Sequence, residues 1–308
     1  MENTVDIIII GGGPAGLTAA IYAGRAEKSV VLIEKAAPGG KMNNTHKIDN
    51  YPGMEGKQGF EFSMSFSKQA KSFGVEIKNG DVIEVTNLDS KDTKVVKLSN
   101  GEEIATKAVI ITSGLKAKRL EVPGYDEYFG KGVGVCLVCD GAFFRGKDIA
   151  VVGGGNSAAE ESLFASNMIG NIHIINSFPG FRVEQTTLSA LDTKENVHYH
   201  HNTDVRSING EEGKVSSISI TENGKDKELP VSAVFTYIGW DVENYFIKDS
   251  SIYDEQGYII VNKETQETKY PGVYAAGDIT PKPFRQVTIA VSEGTQAALA
   301  AVDYINKL

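Results

Sequence analysis

Val5-Asp6-Ile7-Ile8-Ile9-Ile10-Gly11-Gly12-Gly13-Pro14-Ala15-Gly16 opens the chain with a β-branched run that stops at a cluster of glycines. Helical spacing from Leu17 through Ala26 follows at once, so the stretch reads as strand, tight turn, helix. Ser29 to Ile33 is expected to form the next buried strand. It delivers Glu34 at its end, 18 residues beyond Gly16 (34 − 16), close to the roughly 20 expected of a ribose-binding acid. A glycine pattern alone is weak, because three glycines near a turn can serve packing only. With a strand before, a helix after and an acid at the right distance, it points to dinucleotide binding. Gly11 permits the turn, Gly13 lets the backbone approach a pyrophosphate and Gly16 lets the helix pack closely. The helix start supplies amide donors and a positive dipole end.

The same grammar recurs at Asp148. Ile149 to Val152 reads as a strand, Gly153-Gly154-Gly155-Asn156-Ser157-Ala158 as the turn and Ala159 through Ser166 as the helix. Between the two units, Val75 to Val96 and Glu103 to Ile111 alternate as short strands around Asn100-Gly101, a hairpin signal. After the second unit, Val197 to Ile208, Val215 to Thr221 and Glu228 to Tyr237 repeat that plan around turns such as Asn223-Gly224. Gly272 to Ala276 is a last apolar strand ending in Gly277-Asp278, and Val287 to Ile305 carries the small apolar residues of a packed helix.

Composition agrees with two globular units. At 308 residues, each half is large enough to bury its own core, and the hydrophobic fraction of 41% and charged fraction of 23% are ordinary. No segment approaches the roughly 18 apolar residues of a membrane span. The start Met1-Glu2-Asn3-Thr4-Val5-Asp6 has no basic region and no cleavage site, so a cytoplasmic protein is expected. A net charge of -9 with mixed signs argues against a nucleic-acid partner.

The only two cysteines stand in Cys136-Leu137-Val138-Cys139-Asp140-Gly141. That spacing admits a redox disulfide, half of a zinc site or two incidental thiols. The zinc reading lacks a second cysteine pair, and His46, His173, His198, His200 and His201 show no ligand spacing relative to it, so no metal is expected. A redox pair is expected, its thiolate favoured by a helix N-terminus or a proton acceptor nearby. Asp140 suits proton transfer and suits a helix cap equally. On a strand, His198 and His200 would share one face and His201 the other, which is no metal cluster.

Taken together, Gly11 to Gly16, Gly39-Gly40 before Asn50-Tyr51-Pro52-Gly53, Cys136 to Gly141, Gly153 to Glu161, and Gly277-Asp278 with Arg285-Gln286 resemble bacterial-type low-molecular-weight thioredoxin reductase, nearly end to end. The resemblance implies an α/β fold of two Rossmann-like (three-layer ββα) dinucleotide-binding domains, the second inserted into the first. The FAD domain would comprise residues 1–115 and 245–308, and the nicotinamide domain with the disulfide residues 116–244. FAD would lie along Gly11, Gly13, Pro14, Ala15, Gly16, Glu34, Lys35, Gly40, Lys41, Asn50, Val82, Gly114, Gly277, Asp278, Arg285, Gln286 and Val287. NADPH, or NADH in its place, would meet Gly153, Gly154, Gly155, Asn156, Ser157, Ala158, Asn176, Arg182, Ile238 and Gly239.

By the same resemblance Cys139 faces the flavin, Cys136 attacks the disulfide of thioredoxin or a similar small dithiol protein, Asp140 shuttles the proton and the protein is a homodimer. Three positions depart from the family pattern. Asn176-Ser177-Phe178 stands where a His-Arg-Arg cluster takes the extra phosphate of NADPH, with Arg182 kept from the same motif. Ile238-Gly239-Trp240-Asp241-Val242-Glu243-Asn244 lacks the usual Pro-Asn-Thr, and Lys41 follows Gly39-Gly40 in place of glutamine. Two other readings follow: the same disulfide reductase fed by another donor such as ferredoxin, and a flavin-binding redox sensor without turnover.

Overall fold

The computed structural model describes residues 4–45, 48, 50–54 and 56–308; Met1-Glu2-Asn3 and His46 lie outside them. The chain divides into two compact units, Met1–Lys116 with Val242–Leu308, and Ala117–Asp241.

In the first unit, Val5–Ile10 pairs in parallel with Val30–Glu34 on one side and Glu103–Ile111 on the other, and Glu76–Asn79 extends the sheet beyond Val30–Glu34. The long strand Glu103–Ile111 changes partners along its length. Its first half pairs antiparallel with Lys94–Leu98, and its last residues pair in parallel with Val273–Ala275. Lys94–Leu98 in turn pairs antiparallel with Val82–Thr86. The continuous apolar run at the amino end serves both faces of this sheet. Ile7 and Ile9 pack with Leu17, Ala20, Ala297 and Ala301 of the helices Pro14–Arg25 and Val287–Asn306. Ile8 and Ile10 pack with Val82, Val85, Val96 and Leu98 of the antiparallel strands. The order is helices, parallel sheet, antiparallel strands.

The second unit repeats this order. Five strands pair in parallel in the sequence Val197–His200, Ile172–Ile175, Ile149–Val152, Ala233–Thr236, Val133–Gly134. One core lies between this sheet and the antiparallel strands Thr203–Glu211, Lys214–Glu222 and Lys225–Pro230; the other includes Ala158, Ala159 and Ala165 of the helix Asn156–Ala165. The architecture is the expected α/β one.

Two expected strands prove to be pairs. Val197 to Ile208 breaks at Asn202, whose positive φ of 50° turns the chain out of the parallel sheet and into the antiparallel one. Glu228 to Tyr237 breaks after Pro230 in the same way, because the two halves belong to different layers. The helix Gly59–Ser72 was not anticipated, although Glu61, three residues after Gln58, accepts a hydrogen bond from the Gln58 amide at its start.

Candidate active site

The first glycine turn is built as its residues suggest. Gly11 holds φ at 102°, and a Cβ there would lie 2.5 Å from Thr112 O. A Cβ on Gly16 would lie 2.6 Å from Thr112 Oγ1 and collide with Gly11 O, so this glycine lets the helix meet the strand. Gly13 faces open space, with no atom within 4 Å of a Cβ built on it. Glu34 receives hydrogen bonds from the Gly12 amide at 2.6 Å and the Ala36 amide at 2.9 Å, which fixes the acid beside the turn.

Around this turn the structure assembles many residues drawn from distant parts of the chain. Lys41 pairs with Asp278, and Asn50 Nδ2 donates to Gln286 Oε1 at 3.0 Å. Gly277 donates its amide to Glu293 at 2.8 Å, and Glu293 also pairs with Lys282, whose ammonium pKa burial pushes down. Arg285 lies 5.0 Å from the Tyr258 ring, and its buried Nε has no hydrogen-bond partner among the described residues. An open glycine surface and, in the same unit, an orphaned guanidinium donor suit the pyrophosphate of a dinucleotide such as FAD. Gly40 sits against Gly13, Gly114 opens to space at φ 71°, and Val287 borders the cluster of Met42, Ile48 and Phe62. Val82 is 4% exposed and packs in the core, and Lys35 pairs with Glu243 at 2.7 Å.

In the second unit Cys136 and Cys139 form a disulfide with Cα atoms 5.3 Å apart. Cys136 caps the short helix Leu137–Asp140, its Sγ accepting from the Cys139 amide at 3.2 Å. Asp140 closes that helix and does not cap it, so the capping role is Cys136's. Cys136 is 6% exposed, whereas Cys139 and Asp140 are exposed.

Sequence reasoning missed Glu161 and Tyr237 as part of this site. Glu161 Oε2 accepts from the Leu137 amide at 2.8 Å, the Val138 amide at 3.2 Å and the Tyr237 hydroxyl. Burial raises the pKa of both side chains and so favours their neutral forms; the hydrogen bonds pull Glu161 part of the way back. The only signal was position: Glu161 falls two turns into the helix after the second glycine turn, and Tyr237 follows the strand Ala233–Thr236.

A cleft of about 600 Å³ in the second unit is lined by Gly153 to Ala158, Asn176 to Phe178, Arg182 and Tyr237 to Trp240, among others. Gly153 has φ at 150°, and a Cβ on Gly154 would lie 3.2 Å from Asn176 Cβ, as one on Gly12 would from Glu34 Cβ. Asn176 therefore occupies the place of Glu34. It is buried, its Nδ2 donates to His201 Nδ1 at 2.9 Å and its Oδ1 accepts from the Phe178 amide at 3.0 Å. Arg182 lies 4.1 Å from the Phe178 ring centroid, and its amide donates to Gly154 O at 2.8 Å. Gly239 holds φ at 112° beside Ile238. His173 stacks near His198 and His200, and His201 packs instead on Phe181 and Tyr199; no metal-holding cluster occurs among the described residues.

Comparison with known proteins agrees with this layout. Residues 5–294 match the family model described as pyridine nucleotide-disulphide oxidoreductase. The chain is 40% identical to a thioredoxin reductase of Bacillus subtilis over all of this chain and 96% of that one. Among solved structures, Lactococcus lactis thioredoxin reductase in its FR conformation is 37% identical with a TM-score of 0.93, covering 99% of this chain and 100% of that one. The thioredoxin reductase of T. acidophilum is 34% identical with a TM-score of 0.90, covering 98% and 99%.

Proposed function

The chain belongs to the pyridine nucleotide-disulphide oxidoreductase family, and from that premise we propose that it is a thioredoxin-disulfide reductase acting in the cytoplasm as a homodimer. The observation that carries the reading is the Cys136–Cys139 disulfide, closed across two residues in the same unit as an intact second glycine turn. Bound FAD supplies the relay that takes a pair of electrons from a nicotinamide nucleotide and passes it to a disulfide.

The chain's own residues have separable tasks. Gly13 and the amides at the start of Pro14–Arg25 would hold the pyrophosphate of FAD, Glu34 would take its ribose, and Arg285 would supply a charged donor. Gly153 to Ala158 would repeat this for the nicotinamide nucleotide in the cleft that Asn176, Arg182, Ile238 and Gly239 also line. Once the sulfurs hold two electrons, Cys136 attacks the disulfide of thioredoxin as a thiolate, Cys139 resolves the mixed disulfide, and Asp140 exchanges the proton. Because Cys136 is buried in the oxidised pair, this attack requires its exposure.

Anaerobic titration tests the proposal. Either NADPH or NADH should bleach the flavin, and added thioredoxin should restore its colour. Bleaching only by reduced ferredoxin or dithionite would refute the nicotinamide donor. Cys136→Ser should still bleach yet reduce no thioredoxin; undiminished turnover would refute the disulfide's role.

A further inference from the structure

The Cys136 turn is held from outside by one carboxylate. Glu161 comes from the helix Asn156–Ala165, accepts from both amides that follow Cys136, and is itself fixed by the Tyr237 hydroxyl. Leu137 N also lies 2.8 Å from the Tyr237 hydroxyl, so the two side chains share that donor. Backbone amides beside a cysteine are the groups that settle a thiolate there, and a neighbouring carboxylate has the opposite effect. Glu161 combines the two: it takes the donors and adds a negative charge.

We propose that Glu161, held by Tyr237, is a positioning residue for the redox pair that keeps the Cys136 thiol weakly acidic and the disulfide hard to reduce. The inference rests on the reading of Cys136–Cys139 as a redox-active pair. Reduction adds two electrons as the S–S bond breaks, and two protons complete the dithiol; a thiolate on Cys136 leaves one of those protons unbound. A group that opposes that thiolate therefore favours the fully protonated dithiol, and removing the opposition makes the pair more oxidising. Burial and the nearby Glu160 raise the pKa of Glu161, while the hydrogen bonds from Tyr237, Val138 and Leu137 lower it and favour the carboxylate that the role requires. Among the described residues Asp140 also acts on this network, through Tyr237.

Glu161→Gln separates charge from shape, since its amide oxygen can still accept from Leu137 and Val138. In the flavin-loaded protein carrying Cys139→Ser, the Cys136 thiolate is followed by its ultraviolet absorbance against pH. Adding Glu161→Gln should lower the midpoint by about 1 pH unit, or about tenfold more thiolate at any pH below both midpoints. In the two-cysteine protein the same substitution should make the disulfide several-fold easier to reduce at equilibrium with dithiothreitol. An unchanged midpoint and an unchanged equilibrium would reduce Glu161 to a structural cap and overturn the proposal. Asp140→Asn serves as the control: a shift of the same size there would assign the effect to the wider field and overturn it too. Should Glu161→Gln fail to fold, Tyr237→Phe removes a donor to the same carboxylate and an acceptor on the Leu137 amide. A smaller shift in the same direction is expected, and none would overturn the proposal. Failure of dithiothreitol to yield two thiols would instead sink the redox reading itself.

Discussion

Gly13 and Gly16 stand three residues apart in one turn and do different work. A methyl on Gly13 meets no protein atom, so Gly13→Ala should leave the stability of the flavin-free protein within about 0.5 kcal/mol and lower flavin retention at least tenfold. Gly16→Ala drives a methyl into Gly11 O and Thr112 Oγ1; it should cost roughly 1–3 kcal/mol in the flavin-free protein as well. Thermal unfolding with and without flavin distinguishes them, and equal losses in both variants would refute the assignment. Lys94 is a different kind of residue, invisible in the sequence as anything but a strand lysine. It is fully buried beneath Tyr304, whose hydroxyl lies 3.5 Å away, and burial pushes its ammonium down to about 8 against the pull of Asp92 and Glu267. Below pH 8 the folded and unfolded chains both hold the proton, and the cost of the buried charge is constant. Between about 8 and the ordinary lysine value of 10.5 the unfolded chain holds a proton the folded chain has released, so this group makes stability rise with pH across that window. Lys94→Met should remove that slope and stabilise the protein at pH 7 by on the order of 1–3 kcal/mol, read from denaturant midpoints at several pH values.

Elements were legible where one pattern belonged to one layer. The strands Val5–Ile10 and Val30–Glu34, the two glycine turns and the terminal helix all carry uninterrupted signals, because each has a single set of neighbours. Boundaries at Asn202 and after Pro230 were hidden because the strand pattern continues while the chain changes sheets; at Asn202 a positive φ marks the change. Similarly, no motif in Glu161 or Tyr237 could announce the hydrogen bonds they accept from Cys136's neighbours, since those arise only once the chain has folded. The terminal helix Val287–Asn306 shows how packing overrides propensity. Gly294 in mid-helix would gain about 1 kcal/mol on replacement by alanine if exposed. Here a Cβ would lie 2.9 Å from the Ala15 carbonyl carbon, at the close crossing with Pro14–Arg25. Gly294→Ala should therefore destabilise, by about 1–3 kcal/mol in a thermal melt, and because Ala15 begins the flavin-side helix it should also weaken flavin retention. A stabilised variant would mean that the crossing opens at no cost.

At the scale of the whole molecule, the chain is one plan executed twice, and its two executions differ at the position that selects the ligand. Gly12 is backed by Glu34 in the first unit, an acid that suits ribose hydroxyls; Gly154 is backed by Asn176 in the second, neutral and with both polar ends already engaged. The first unit should thus take an unphosphorylated ribose, and the second neither demands a 2′-hydroxyl nor repels a 2′-phosphate, with Arg182 the cation on its cleft lining. Hydrogen exchange read by mass spectrometry can resolve the two units without reference to turnover. Restoring FAD to stripped protein should slow exchange in residues 11–16, 34–41 and 277–287 and leave 153–158 unchanged. Adding NADPH or NADH should do the converse, slowing residues 153–158, 176–182 and 238–239. At a ligand concentration a hundred times its dissociation constant, amides that open only when the ligand leaves gain about 2.7 kcal/mol, which is roughly a hundredfold slowing. Comparable protection by both nucleotides at similar concentrations is the expected result, because Asn176 penalises neither. Protection by NADPH alone would show that Arg182 suffices for the phosphate, and protection by neither would leave the second glycine turn without its proposed ligand and return the question of the electron donor to a protein such as ferredoxin.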